Sequence, residues 1–311
     1  MGVKELPNGV WPVMLTPFAQ DGSVDYNALE QLIEWYIDNG VHGLFAMCRS
    51  SDMFQLTRDE RIDVVRFVQE KTAGRVSVVA SGHVSDSFEE QLKDIEAISE
   101  IGVDAVVLIT NILAQAEDGE DVWKRNVETI LERFPGTTFG LYECPSPFQR
   151  LLSPELIKWC GETGRFTFMK ECSNNLGQIL EKIKAVQGTP LKIYIANNPH
   201  LLEAMQAGGH GYSGMQATYQ PDLYSWLTNH WNEDAEKAAL VQSYLGATCA
   251  FEGRQYYIAT RYYLQLEGID ITLKSRMNRA VGDFRPTNRR EIEQFRAYNR
   301  YFKKTLFSQG G

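Results

Sequence analysis

A chain of 311 residues, 43% hydrophobic and 11% aromatic, is long enough to bury a large core as one large domain or two ordinary ones, and too apolar to be disordered. With 40 acidic residues against 31 Lys and Arg, a net charge of -9 and no long basic run, a nucleic-acid footprint is excluded, and an anionic ligand needs a local cationic site. The five cysteines (Cys48, Cys144, Cys160, Cys172, Cys249) form no C-x-x-C pair, which argues against a disulfide framework or zinc knuckle and fits a reducing cytoplasm.

The opening MGVKELPNG has no signal-peptide core and lacks the Ser or Thr of a myristoylation motif, and no later run is apolar enough to span a membrane. No membrane association is expected. Between residues 11 and 215, eight short runs rich in β-formers alternate with amphipathic helical patterns. They are WPVML (11–15), GLFAM (43–47), VSVVA (76–80), DAVVLI (104–109), TTFGLY (137–142), FTFMK (166–170), LKIYI (191–195) and GYSGM (211–215). Eight is the number that closes a (β/α)8 TIM barrel.

Helix punctuation supports that count. Asp25 opens a stripe of Leu29, Leu32, Ile33, Tyr36 and Ile37 that stops at Asn39-Gly40. Thr57 with Glu60 and Ser87 with Glu90 are spaced as capping boxes, and Ser153-Pro154 reads as an N-cap with proline at the first helical position. After Tyr219-Gln220-Pro221 the strand pattern ceases. Residues 1–220 are therefore expected to form the barrel and 221–311 a helical region packed on it.

Active sites of such barrels lie at the C-terminal ends of the strands, so residues that end the apolar runs come first. Lys170 closes the sixth run and shares a face with Phe166 and Phe168, placing at the end of an apolar strand an amine able to attack a carbonyl and form an iminium. Tyr142 closes the fifth run, and its phenol is suited to shuttling protons for that chemistry. The alternative is a lysine and a tyrosine snorkelling at the barrel rim.

Four segments make the reading specific. GVWPVMLTPFAQDGSVDYNAL, GLYECPSPF with Tyr142 and Pro145, FMKECSNN with Lys170, and EAMQAGGHGYSGM resemble the dihydrodipicolinate synthase and N-acetylneuraminate lyase family, over the whole barrel and much of the C-terminal part. The resemblance implies a homotetrameric class I aldolase-type lyase that condenses or releases pyruvate without a metal or other cofactor. It makes Lys170 the Schiff-base lysine and Tyr142 the proton shuttle.

Departures from the family pattern are equally informative. Where the family has a glycine, two hydroxyl residues, a glycine and a glutamate, this chain has Cys48, Arg49, Ser50, Ser51 and Asp52. That loop holds the keto acid's carboxylate in the family, so the resemblance points to Arg49, Ser50 and Ser51 as substrate-binding residues. The Arg49 fork suits a carboxylate; the alternative points it outward or into a salt bridge. Ile112 and Leu113 fall where dihydrodipicolinate synthases donate a tyrosine across a subunit interface. Pro147 aligns with their aldehyde-binding arginine, and Arg150 follows three residues later.

Glu143 is expected to face solvent on the alternate side of its strand; the alternative is a carboxylate beside Tyr142 that orients a polyol or acts as a base. Ser213 and Gly214 are expected to border the pocket, while Gly208 and Gly209 cap a helix at the opposite face. His42, His83, His200, His210 and His230 show no ligand spacing, so no metal site is expected. Cys48 and Cys172 lie near the pocket mouth as small hydrophobes rather than nucleophiles.

The expected protein is a Schiff-base-forming lyase acting on pyruvate or a 2-keto acid such as a 2-keto-3-deoxy sugar acid, in a cytoplasmic homo-oligomer. The alternatives are a dihydrodipicolinate synthase or N-acetylneuraminate lyase proper, or a barrel that binds a small molecule without turnover. Aldol cleavage, dehydration and condensation remain open at this point.

Overall fold

The structure, a computed structural model, describes residues 4–251, 255–277 and 283–307. Residues 1–3 of the opening stretch and 308–311 of the C-terminal region lie outside these. Strands and helices alternate in the order β1 (Gly9–Val10), α1 (Tyr26–Asp38), β2 (Gly43–Phe45), α2 (Arg58–Thr72), β3 (Ser77–Ala80), α3 (Phe88–Glu100), β4 (Ala105–Ile109) and α4 (Glu120–Arg133). The second half continues with β5 (Phe139–Tyr142), α5 (Pro154–Glu162), β6 (Phe166–Glu171), α6 (Leu176–Ala185), β7 (Lys192–Ile195), α7 (Leu201–Gln206), β8 (Gly211–Tyr212) and α8 (Pro221–His230).

The barrel strands all pair in parallel: β2 to β8 pair in sequence, β8 pairs with β1, and a parallel bridge between Val13 and Phe45 joins β1's continuation to β2. The result is a TIM barrel with a helical extension. Its first strand differs from expectation. The ladder forms at Gly9–Val10 rather than along residues 11–15, because Pro12 has no N–H to give and interrupts the run. Its carbonyl still accepts from the Phe45 N–H at 3.0 Å. The last strand is shortened to Gly211–Tyr212, since Met215–Thr218 turns into a 3-10 helix. Gly211 has φ +145°, and a Cβ there would meet the Gly9 carbonyl, so only glycine lets β8 approach β1 this closely.

Helix starts follow the sequence signals. Asp25 accepts from the Ala28 N–H at 3.0 Å, and Thr57 and Glu60 form a reciprocal capping box. Ser153 caps α5 with Pro154 at its first position. Ser87 caps α3, but Glu90 turns to Lys93 at 2.6 Å instead of closing the box. Gly208, with φ +94°, and Gly209 end the turn after α7 before β8 begins, at the face opposite the strand C-termini.

Aromatic rings fill the lumen: Phe168 stacks on Tyr194 with centroids 4.8 Å apart, Trp11 sits edge-on to both, and Phe45 bridges Phe168 to Tyr142. Gly43 and Gly140 leave room for Trp11 and Phe168. This packed column is the floor on which the site stands.

Helix α8 packs against β1 and β8, and α9 (Ala235–Thr248), α10 (Tyr256–Leu266) and α11 (Pro286–Phe307) follow. Asn299, buried on α11, joins them through the hydroxyls of Tyr244 at 3.1 Å and Tyr263 at 2.8 Å. No helix among the described residues is long and apolar enough to cross a membrane.

Candidate active site

Tyr142 and Lys170 end β5 and β6 and are register partners, so strand alternation turns both side chains into the barrel at one height. The Lys170 Nζ lies 4.7 Å from the centroid of the Tyr142 ring, and the two residues are 5% and 3% exposed. Burial holds the Tyr142 phenol well above its ordinary pKa, with Cys144, Cys172 and Cys48 adding to the effect. The phenol is therefore protonated at neutral pH. Lys170 forms no ion pair among the described residues.

Above this pair opens a pocket of about 320 Å³. Its lining includes Arg49, Ser50, Gln149, Asn174, Asn197 and Asn198, with no carboxylate among the described residues. The Gln149 amide donates to the Cys172 carbonyl at 2.7 Å. Arg49 sits half-buried on a 3-10 turn, Arg49–Ser51, and has no ion pair among the described residues. Its carbonyl accepts from the Tyr257 hydroxyl at 3.4 Å. Burial pushes that phenol up to about 12, although the Arg49 charge pulls the other way.

The turn is fixed from below by the C-terminal extension. Asp52, in the left-handed region at φ 59°, ends the turn with its carboxylate fully buried. Arg261 of α10 reaches it at 3.2 Å, and Ser275 donates to it at 2.8 Å. The same guanidinium donates to the Thr16 carbonyl at 2.9 Å. Burial raises the Asp52 carboxyl against the pull of Arg261.

The chain matches the model of the dihydrodipicolinate synthetase family over residues 6–281. It is 30% identical over 232 residues to the 4-hydroxy-tetrahydrodipicolinate synthase of Methanococcus aeolicus, covering 74% of this chain and 78% of that one. This chain belongs to the dihydrodipicolinate synthetase family. The synthase of Clostridium tetani is 28% identical over 270 residues, covering 83% and 87%. Among solved structures, the Escherichia coli K12 prophage protein YagE in complex with pyruvate aligns with a TM-score of 0.84 at 19% identity, over 94% of this chain and 98% of that chain. The Methylacidiphilum fumariolicum synthase aligns with 0.83 at 20%, over 96% and 98%. Family membership makes the protein a class I aldolase-type lyase.

Within this family frame, the other expected site residues divide. Ser50 lines the pocket, and its hydroxyl meets Tyr256 behind it. Ser51 does not: its hydroxyl lies 2.7 Å from the Met14 carbonyl and accepts from the Cys48 N–H at 3.1 Å, because the tight turn rotates it into the barrel wall. Ser213 is also off the lining; it is buried beneath Gly214 and Met215, which reach the pocket in its place. Its hydroxyl has no hydrogen-bond partner among the described residues.

Glu143 corrects the expectation most sharply. It does lie on the alternate side of the strand, but that side is covered by α6, and the carboxylate is fully buried against Lys182. Arg150 turns away from the pocket, donating to the carbonyls of Asp118 and Gln115. Leu113 is buried and Ile112 half-buried, neither offering a hydroxyl.

Cys172 lines the pocket, where burial pushes its thiol up. The histidines serve the fold: His83 and His210 accept backbone N–H groups at 2.8 and 3.1 Å, and burial pushes each down to about 4. The amide wall, the Asp52–Arg261 anchor and the Glu143 cluster had no signal in sequence spacing.

Proposed function

We propose that the protein forms a Schiff base between Lys170 and pyruvate or a 2-keto acid, with a 2-keto-3-deoxy sugar acid as its substrate. The observation that carries this reading is the free, buried Lys170 amine above the Tyr142 ring at the floor of a pocket whose other cation, Arg49, is uncommitted. The amine adds to the keto carbon, and loss of water gives a cationic iminium that withdraws electrons from the adjacent carbon. Tyr142 supplies and recovers protons during these steps. In retro-aldol cleavage the electrons of the C3–C4 bond pass into this iminium and leave the enamine of pyruvate, which is protonated and hydrolysed from the lysine; in dehydration, loss of a C3 proton gives an enamine that expels the C4 hydroxyl as water.

Arg49 and Ser50 receive the carboxylate. The neutral amides of Gln149, Asn174, Asn197 and Asn198 match a polyhydroxylated chain, whereas a second carboxylate or an ammonium at the far end finds no partner of opposite charge among the described lining residues. A synthase proper remains the second reading, favoured by the names of the curated relatives. We propose a cytoplasmic homotetramer, a reading supported by its family.

Release of pyruvate from 2-keto-3-deoxy sugar acids, coupled to lactate dehydrogenase, tests the substrate class. Turnover with these acids, and none when pyruvate is supplied with aspartate semialdehyde, is the expected outcome. The reverse preference establishes the synthase instead.

A further inference from the structure

Each reactive residue is followed in sequence by a glutamate: Tyr142 by Glu143 and Lys170 by Glu171. Because successive strand residues face opposite ways, the pair that faces the lumen leaves both carboxylates on the outer face of the barrel wall. One step below on that same face, Leu141 and Met169 pack there as fully buried apolar side chains. At the level of the reactive pair the filling changes to charge.

Lys182 of α6 meets both carboxylates, at 2.7 and 2.9 Å from the two Glu143 oxygens and 2.8 Å from Glu171. Glu143 also accepts the N–H of Leu152 at 3.0 Å and of Cys172 at 3.1 Å. It therefore ties together the end of β5, the chain just past Lys170, α6, and the far end of the segment that brings Pro145 and Gln149 to the pocket. Stability does not call for such a cluster, since buried ion pairs are often replaceable by well-packed apolar groups without loss. One Glu171 oxygen takes Lys182 and the Ser173 N–H, and the other has no hydrogen-bond partner among the described residues. What such a polar cluster adds over apolar packing is direction, fixing its members to within hydrogen-bond lengths.

We infer that Glu143, Glu171 and Lys182 form a clamp behind the reactive pair, holding the ends of β5 and β6 so that the Lys170 amine stays over the Tyr142 ring. They are positioning residues that touch no substrate. The catalytic consequence rests on the Schiff-base reading above, while the clamp's effect on geometry is separable from it.

The test compares Glu143→Gln, which keeps shape and acceptor but leaves one carboxylate per ammonium, with Lys182→Met and its charge-retaining counterpart Lys182→Arg. Trapping of pyruvate on Lys170 by cyanoborohydride is followed over a range of pyruvate concentrations, with melting curves to establish folding. Glu143→Gln and Lys182→Met are expected to lower the maximal trapping rate by up to about 100-fold, the scale of a small misplacement of reacting groups, with little change in the half-saturating concentration. Lys182→Arg is expected to recover most of the rate.

Folded variants that trap at the wild-type rate, or whose loss lies wholly in the half-saturating concentration, overturn the clamp. If Lys182→Met does not fold, Glu143→Gln decides. If the wild type itself traps no pyruvate, the Schiff-base reading fails, and crystal structures judge the clamp alone. A Glu143→Gln protein that keeps the 4.7 Å Lys170–Tyr142 spacing then overturns it, and a displaced strand end supports it.

Discussion

The β5–β6 wall of the pocket is assembled by register partners in neighbouring strands, Tyr142 with Lys170, whereas the Arg49 wall is held by an arginine 209 positions from the aspartate it grips. In the proposed function the first wall carries the chemistry of bond-making and the second the recognition of charge. Their separate origins imply that substitutions should separate too, into losses of rate on one side and losses of affinity or stability on the other.

The largest effect short of removing the lysine is expected from Tyr142→Phe. It should slow turnover by about 100- to 10,000-fold, the range typical of a lost general acid–base group, while the lysine still traps pyruvate. Normal turnover by this variant would break the assignment of the first wall.

On the second wall, Asp52→Asn leaves the buried Arg261 guanidinium without its counter-charge. A loss of about 3–5 kcal/mol is expected in urea unfolding, as for other buried pairs broken on one side. A loss well under that would mean that the extension does not anchor the turn.

Arg49→Gln should sharpen the contrast. Removing one charge-assisted contact of about 1.5–3 kcal/mol corresponds to a rise in KM of about 10- to 100-fold, with a smaller change in kcat. A fall confined to kcat would move Arg49 from recognition to chemistry.

The smallest effect belongs to Glu60, whose carboxyl is held down at about 2, first by its hydrogen bond from Arg276. That pair straps the C-terminal segment to the first turn of α2. Because the folded pKa is depressed, its stabilisation is present above the ordinary value of about 4.5 and is lost as pH falls toward 2. The pair is partly exposed and screened by solvent, so Glu60→Gln should cost about 1 kcal/mol or less at pH 7, and that difference should vanish in melts at the acid end.

The contrast between the walls also explains what could be read from sequence. Lys170 and Tyr142 were legible because period-two alternation and strand order are local properties, and the caps at Asp25, Thr57 and Ser153 were legible for the same reason. Glu143 was misjudged because alternation tells only that it leaves the lumen, and whether α6 or water covers it depends on a lysine 39 positions on. Ser51 looked like its neighbour Ser50, but three residues of 3-10 turn rotate adjacent side chains to different surroundings. WPVML failed as a continuous strand at Pro12 for want of one N–H. The amide wall was out of reach, since Gln149, Asn174 and Asn198 come from separate loops that meet only in the folded barrel.

The central claim is the covalent step at Lys170, and reduction of the protein with borohydride in the presence of pyruvate, followed by peptide mass mapping, tests it most directly. A single reduced pyruvate adduct is expected on the peptide containing Lys170, absent from Lys170→Ala. No adduct, or an adduct on another lysine, under conditions that trap a control class I aldolase would contradict it.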